Sequence, residues 1–467
     1  MAEQEARTIT PKSRQAGTAG SGGKIDIRPG VTDVAAVIDH EPFSAFQKRL
    51  VAMCFLLMTL DSVNLSTIAY AAPSIAAAWG MNTARFGPIF GASLIGTMLG
   101  ALIIGPAADY LGRRRMIIGG VAIFAVFTLL TVTSHSFQAL LAYRLLTGIG
   151  LGGVIPNIIA MTSEYAPAGR RAMLISVMSC GLPLGGLLIG VVAVPMIPAW
   201  GWKSVFYLGG AAPLLLVPLL LWRLPESIRF LALKKTDRPQ LVGILRRIAP
   251  HLAFSENDDF VIREEHLHSM PVKNLFTHGR LRNTLLLWCA FFGNLLMLFV
   301  MNNWLPSLLQ KSGIPLQGAF IATTLFFLGG TIGGVLLAWL SLRRSPQFVV
   351  GCGFLGAAVF TAALGISQGS PVKVMVAVFL SGLCVIGTQI NINVIAAAVY
   401  PTSVRSTGVG WALGIGRIGS ILGPILGGVL LSRGGSVASL FLLTAAPGLL
   451  AATAVFQLDH RQESIAT

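Results

Sequence analysis

Twelve apolar runs, each near the roughly 20 residues a helix needs to cross a bilayer, set the limits on how this chain folds. They lie at 47–70, 87–108, 116–134, 138–164, 172–194, 202–222, 283–304, 318–340, 347–367, 374–399, 407–431 and 436–457. In hydrocarbon every backbone N–H and C=O needs a partner within the protein, so runs of this length fold as helices. Charged residues make up only 11% of the chain, where about a quarter is usual in a soluble domain. The expected fold class is an all-α membrane protein of twelve transmembrane helices in two six-helix bundles, 47–222 and 283–457. A polar connection at 223–282 separates them, a polar tail at 1–46 is expected to be disordered, and a short tail follows at 458–467.

Basic residues give the orientation. Arg113, Arg114 and Arg115 lie between runs 2 and 3, Arg170 and Arg171 between runs 4 and 5, Arg343 and Arg344 between runs 8 and 9, and eleven Lys and Arg lie in the central connection. Connections on the other side hold at most one each: Arg85, Lys203, Lys311, Lys373 and Arg433. The excess of Lys and Arg in cytoplasmic connections places both termini in the cytoplasm. The net charge of +16 follows from this bias and from attraction to anionic lipid, so no nucleic-acid partner is implied.

Other chemistries find little support. The cysteines (Cys54, Cys180, Cys289, Cys352, Cys384) all lie in apolar runs, with no Cys-x-x-Cys and no Cys/His pair, so neither a disulfide framework nor a metal site is indicated. No nucleophile–base constellation is present, and neither an enzyme nor a cofactor is expected. "GTAGSGGKI" (17–25) has neither the spacing nor the Ser/Thr of a phosphate-binding loop.

The two halves repeat one another. "EYAPAGRRAM" (164–173) closes run 4 and "VYPTSVRSTG" (399–408) closes run 10: each has a Tyr, a Pro within two residues, and an Arg five after the Tyr. Run 5 carries "GLPLGG" (181–186) and run 11 carries "GPILGG" (423–428). Duplicated halves commonly build a transport site between them, near the midplane.

Several stretches resemble a known family. "GPAADYLGRRR" (105–115) is similar to the signature between helices 2 and 3 of the major facilitator superfamily, "RLLTGIGLGG" (144–153) to its helix 4 pattern, and "PESIRFL" (225–231) to its motif after helix 6, with Ile228 in place of a Pro. "YPTSVRSTGVGWALGIGRIGSILGP" (400–424) resembles the aromatic acid:proton symporters, permeases for benzoate-like acids. Two departures stand out. That family usually has Asp-Gly-x-Asp in helix 1, where this chain has Asp61-Ser62-Val63-Asn64. "AWLSLRRSPQ" (338–347) lacks the acid common between helices 8 and 9. The resemblance implies a transporter that works as a monomer in the bacterial inner membrane.

Of eighteen Asp and Glu, only Asp61 lies deep in an apolar run. A charge at the centre of a membrane helix costs roughly 2.5–3.5 kcal/mol on the mildest scale. Burial favours the neutral form of a carboxylate and a nearby Arg favours the charged one; passing between the two is what a proton carrier needs. A static ion pair that locks helices is the alternative. The deep cations are Arg144 and Arg417. Arg417, with glycine near it on both sides in "GIGRIG" (414–419), is suited to hold an organic anion through two parallel bonds without losing its charge; a bond to backbone carbonyls is the bland reading, as it is for Arg144. Asn64, one turn from Asp61, and Gln389 and Asn393 in "GTQININ" (387–393) complete the expected substrate-binding set. Asp109 with Arg113, and Glu164 with Arg170 and Arg171, flank helix ends on the basic side, with Arg405 their counterpart in the second half. They are expected to act in gating, forming when those ends come together and parting when the bundles rock. The combined expectation is proton-coupled import of a small organic anion, most simply an aromatic carboxylate. A facilitator or proton-antiport efflux permease for another small solute is the alternative.

Overall fold

The computed structural model describes residues 31–234, 237–252, 254–255, 257–261, 272–277, 280–367 and 370–458. Among the described residues, twelve helices are long and apolar enough to cross a membrane: spans 1 to 6 are Ala45–Ala78, Thr83–Leu111, Arg113–Thr133, Phe137–Tyr165, Ala168–Trp200 and Lys203–Arg223. Spans 7 to 12 are Leu281–Lys311, Leu316–Ser341, Pro346–Ile366, Pro371–Val399, Thr407–Ser432 and Val437–Phe456. Several exceed their apolar runs because the helix continues past the hydrocarbon: span 1 begins on Ser44, whose hydroxyl accepts from the Gln47 N–H while the Gln47 side chain returns to the Ser44 N–H, a reciprocal cap.

Glycine sets the packing inside each bundle. Spans 2 and 4 meet along Gly96, Gly100, Gly148 and Gly152, where an added Cβ would strike the facing backbone carbonyl. Spans 8 and 10 meet the same way along Gly329, Gly333 and Gly382. The repeat extends to the contacts between bundles. In "GLPLGG" of span 5, Gly181 and Gly185 lie against span 1, and Gly186 lies against Phe327 of span 8. In "GPILGG" of span 11, Gly423 lies against span 7, and Gly428 against Ala84 and Gly87 at the start of span 2. Each half therefore contributes one helix that packs on the first span of its own half and the second span of the other. That is the contact pattern of a two-fold related pair.

The apolar cores are not distributed evenly through the membrane. One cluster crosses between bundles and contains Val63, Ile68 and Tyr70 of span 1 and Phe86 and Phe90 of span 2, together with Met297 and Trp304 of span 7 and Phe320 and Phe326 of span 8. Phe90 and Trp304 pack edge to face at 5.2 Å between ring centres. All these residues lie in the half of the membrane away from the basic connections. Toward the basic face the cores separate: one joins Cys54, Leu57, Met58, Ile158 and Met161 within the first bundle, and another joins Phe291, Ile392, Ile395 and Ala412 within the second. The bundles are joined on the opposite face and part toward the basic one.

The polar tail is shorter than the 1–46 read from sequence. Val31–Asp33 forms a strand that pairs in parallel with Asp259–Val261 of the central connection, and Val34–His40 is helical. The Asp39 carboxylate accepts from the Ala168 N–H at the start of span 5, at 2.6 Å, and Val34, Val37 and Ile38 enter the first bundle's core. An apolar pattern only seven residues long is too brief to register as a packed element by periodicity. Residues 1–30 and 459–467 lie outside the described residues.

The connection after span 6 is likewise built into the first bundle. The Glu226 carboxylate accepts from the Arg114 N–H at 3.0 Å and the Ser227 N–H at 2.8 Å, and the Tyr165 hydroxyl donates to the Glu226 carbonyl at 2.7 Å. Gly112 precedes span 3 with φ of 95°, where a Cβ would meet the Glu226 carboxylate. An acid thus lies at the positive end of the span 3 dipole.

Substituting Gly428→Val should hold the bundles apart on the opposite face, since its Cβ would come within 2.9 Å of the Ala84 carbonyl oxygen. Spin labels placed across that face should report a longer mean distance than in the parent, with helicity unchanged. An unchanged distance distribution would show that this contact does not set the closure.

Candidate functional site

Deep polar residues gather at the level where the shared core ends and the separate ones begin. On span 1, Asp61 lies between Met58 of the first bundle's core and Val63 of the shared one. On span 7, Asn294 lies between Phe291 and Met297; on span 10, Gln389 lies between Ile386 and Ile392. On span 11, Arg417 lies past Ala412 of the second bundle's core. These four residues form a polar layer at the depth of the cleft that opens to the basic face.

Asp61 is 1% exposed, and its Oδ1 is buried with no hydrogen-bond donor. Arg417 is the cation of the same layer. Gly416 and Gly419 lie against the Phe291–Leu296 stretch of span 7, which brings Arg417 to the level of Asn294. Arg417 is half-buried, and among the described residues no side chain or carbonyl forms a hydrogen bond or close ion pair with its guanidinium. The Asn294 Nδ2 donates to the Gln389 Oε1 at 2.7 Å, bridging spans 7 and 10, while the Asn294 Oδ1 is buried without a donor. The layer therefore presents one cation with open bonding directions, one carboxylate and a bonded pair of amides, with an acceptor unfilled on Asp61 and on Asn294. A buried acceptor without a partner is costly, and a small anion carrying a donor would satisfy the set.

Two expected substrate contacts lie elsewhere. Asn64 is wholly buried inside the first bundle: its Nδ2 donates to the Gly209 carbonyl at 3.1 Å and its Oδ1 accepts from Thr128 at 2.8 Å. Arg144 shares this network, donating to Thr128, Thr131 and Thr147 at 3.2, 3.3 and 2.9 Å, with its guanidinium 5.4 Å from the centre of the Phe206 ring. Together they cross-link spans 1, 3, 4 and 6. Asn393 is half-buried and donates back to the Gln389 carbonyl on its own helix at 3.0 Å. Asn294 belongs to the layer but is only one of several polar residues of run 7; its place between Phe291 of the second bundle's core and Met297 of the shared one separates it from Asn302 and Asn303, which lie within the shared core's stretch of span 7.

The gating residues also depart from expectation. Arg113 pairs with Glu164 at 3.0 Å and with Asp109 at 3.7 Å, all within the first bundle. These pairs are formed although the bundles part on this face, so they do not wait for the helix ends of the two bundles to meet. Glu164 also accepts from Ser227 at 2.6 Å. Arg170 is exposed and meets no carboxylate among the described residues, and the Arg405 Nε donates to the Tyr400 carbonyl at 3.3 Å.

A family model described as Major Facilitator Superfamily matches residues 54–416 and 320–466. The chain belongs to that superfamily. This facilitator is 36% identical to a gallate transporter of Pseudomonas putida over 92% of its own length and 95% of the relative's. It is 37% identical to the 4-hydroxybenzoate transporter PcaK of Pseudomonas aeruginosa (91% and 95% covered) and 33% identical to a benzoate transport protein of Acinetobacter baylyi (92% and 93%). In fold it matches the inward-open xylose transporter XylE from E. coli, at a TM-score of 0.69 and 16% identity over 90% of this chain and 98% of that one. A crystal structure of a D-xylose-proton symporter matches at 0.67 and 17% identity, with 88% and 96% covered. The facilitator is thus a multi-pass membrane transporter for a small molecule.

Arg417→Lys keeps the charge and loses the planar two-bond fork. Affinity for an acid substrate should fall about tenfold or more, because hydrogen bonds to charged groups contribute roughly 1.5–3 kcal/mol. Binding of an acid and of its neutral amide should be compared in both proteins: the parent should prefer the acid, and the variant should narrow that gap. Equal discrimination in both would place the anchor away from Arg417.

Proposed function

We propose that this facilitator imports an aromatic carboxylate together with protons across the bacterial inner membrane, by alternating access, with its basic face and both termini in the cytoplasm. The observation that carries this reading is that Arg417, open to a ligand, and the unpartnered Oδ1 of Asp61 lie in one polar layer. The relatives named for gallate, 4-hydroxybenzoate and benzoate support the substrate class.

The coupling follows from charge balance. In a low-dielectric layer one guanidinium is neutralised by one carboxylate. When no substrate is present, Asp61 serves Arg417. When an aromatic acid arrives, its carboxylate takes the two-bond face of Arg417, and a second anion beside it is costly. A proton on Asp61 restores neutrality, and the loaded layer can then pass from one face to the other. Release toward the cytoplasm reverses both steps. Connections on the opposite face carry no Asp or Glu, so an approaching anion meets no like charge there. A ring hydroxyl on the substrate would give Asn294 the donor it lacks.

In this reading Asn64 and Arg144 tie the first bundle together rather than touch substrate. Asp109, Arg113 and Glu164 hold its basic-face end rigid while the bundles rock. The Gly/Pro stretch of span 5 serves the same packing role as 423–428 of span 11.

The test is uptake of labelled 4-hydroxybenzoate by cells expressing the protein, with and without a proton uncoupler. Uptake should be lost with the uncoupler; survival of accumulation would mean facilitated movement or a different coupling ion. Asp61→Asn, which bonds but cannot carry a proton, should abolish accumulation while exchange of bound substrate persists. A variant that still concentrates substrate under an acid-outside gradient would remove Asp61 from the coupling role.

A further inference from the structure

One cavity has no part in the polar layer. It lies on the membrane-facing side of the seam between the bundles, in the half of the membrane away from the basic face. Pro88, Ala92 and Ile95 of span 2, Leu141 and Leu145 of span 4 and Ile425 of span 11 line a groove of about 350 Å³. Every lining residue is apolar. Residues three and four apart on a helix share a face, so 88, 92 and 95 form one stripe and 141 and 145 another.

Both stripes lead to the same cation. Arg85 stands three residues before Pro88, and Phe137 stands four before Leu141; the Arg85 guanidinium lies over the Phe137 ring at 5.5 Å from its centre. Arg85 is exposed and meets no carboxylate among the described residues. Ile95 is ten residues further along, about 15 Å at 1.5 Å per residue, or half of a hydrocarbon core roughly 30 Å thick. The groove therefore has the depth of one leaflet, with a positive charge at its headgroup end. The connections on this face hold Arg85, Lys203, Lys311, Lys373 and Arg433 and no Asp or Glu, so nothing there repels a phosphate.

We propose that this groove holds one acyl chain of an anionic phospholipid from the leaflet away from the basic face, with its phosphate on Arg85. The site is also conformation-dependent. Ile425 is its one lining residue from the second bundle, and it reaches span 2 because Gly91 has no side chain: a Cβ there would lie 2.7 Å from the Ile425 Cδ1. The groove is complete only while the bundles meet on this face, so a lipid bound in it favours that arrangement. By linkage, that arrangement binds the lipid more tightly.

The experiment extracts the full-length protein from mixed phosphatidylglycerol and phosphatidylcholine bilayers and counts retained lipids by native mass spectrometry. A second arm measures spin-label distances across the opposite face in nanodiscs of either lipid. The parent should retain phosphatidylglycerol in preference to phosphatidylcholine and should be more closed on that face in phosphatidylglycerol. Arg85→Gln, at an exposed position, should cut retained phosphatidylglycerol about fivefold, the effect of one basic side chain at a membrane surface, and should leave phosphatidylcholine unchanged. Ile95→Trp, which fills the half-exposed wall of the groove, should lower retention of both. Substrate binding by each variant confirms its fold and keeps a failure here distinct from a failure at the polar layer. Equal retention of the two lipids by the parent, or equal phosphatidylglycerol retention by parent and Arg85→Gln, overturns the site. A closure that does not respond to phosphatidylglycerol overturns its conformational role.

Discussion

An ionisable group at the middle of a bilayer has to find inside the protein what water would otherwise supply, and three such groups lie deep in this chain: Asp61, Arg144 and Arg417. Asp61 and Arg417 come from different bundles, on spans 1 and 11, and lie in one polar layer. Neither is tied down by hydrogen bonds from its own bundle, in contrast to Arg144, whose guanidinium is spread over three threonines. That contrast separates a cation fixed in a scaffold from one left available. The difference is made by neighbours: threonines face Arg144, whereas glycines flank Arg417 and leave its outer side open.

The glycine seams make this economy possible. Where spans 2 and 4 or spans 8 and 10 meet, backbone approaches backbone, so each bundle behaves as a rigid unit with little side-chain volume between its helices. Rearrangement is thereby directed to the surface between the bundles, where the contacts are aromatic rings and single glycines. The strand pairing of Val31–Asp33 with Asp259–Val261 and the Glu226 bonds add the connections on the basic face to the first bundle as well.

Much of this was legible in the sequence, for identifiable reasons. Twelve spans follow from hydropathy because the solvent forces the helix. Asp61 and Arg417 stood out because charge is rare at that depth. The duplicated Gly/Pro stretches of spans 5 and 11 were visible, but their shared role needed coordinates, since glycine shows its use only through what lies opposite it. Asn64 departs on geometry: three residues at 3.6 per turn leave roughly 60° of arc between it and Asp61, enough to turn Asn64 between spans 3 and 6. Arg113 and Glu164 both fall within 47–222 by sequence, but sequence does not record that they bond to each other there rather than wait for the other bundle. The helix at Val34–His40 was hidden by its length.

The uneven apolar cores have a thermal consequence. Closing the face away from the basic connections removes Tyr70, Phe90, Trp304 and Phe320 from the water that would fill a cleft open on that side. Removing apolar surface from water lowers the heat capacity. An arrangement open on that face would therefore have a higher contribution to heat capacity from these rings, and its balance with the closed one would curve with temperature. The enthalpy of the empty carrier's reorientation is a property of the temperature at which it is measured, and a transport rate followed over a wide thermal range will not obey a single activation energy.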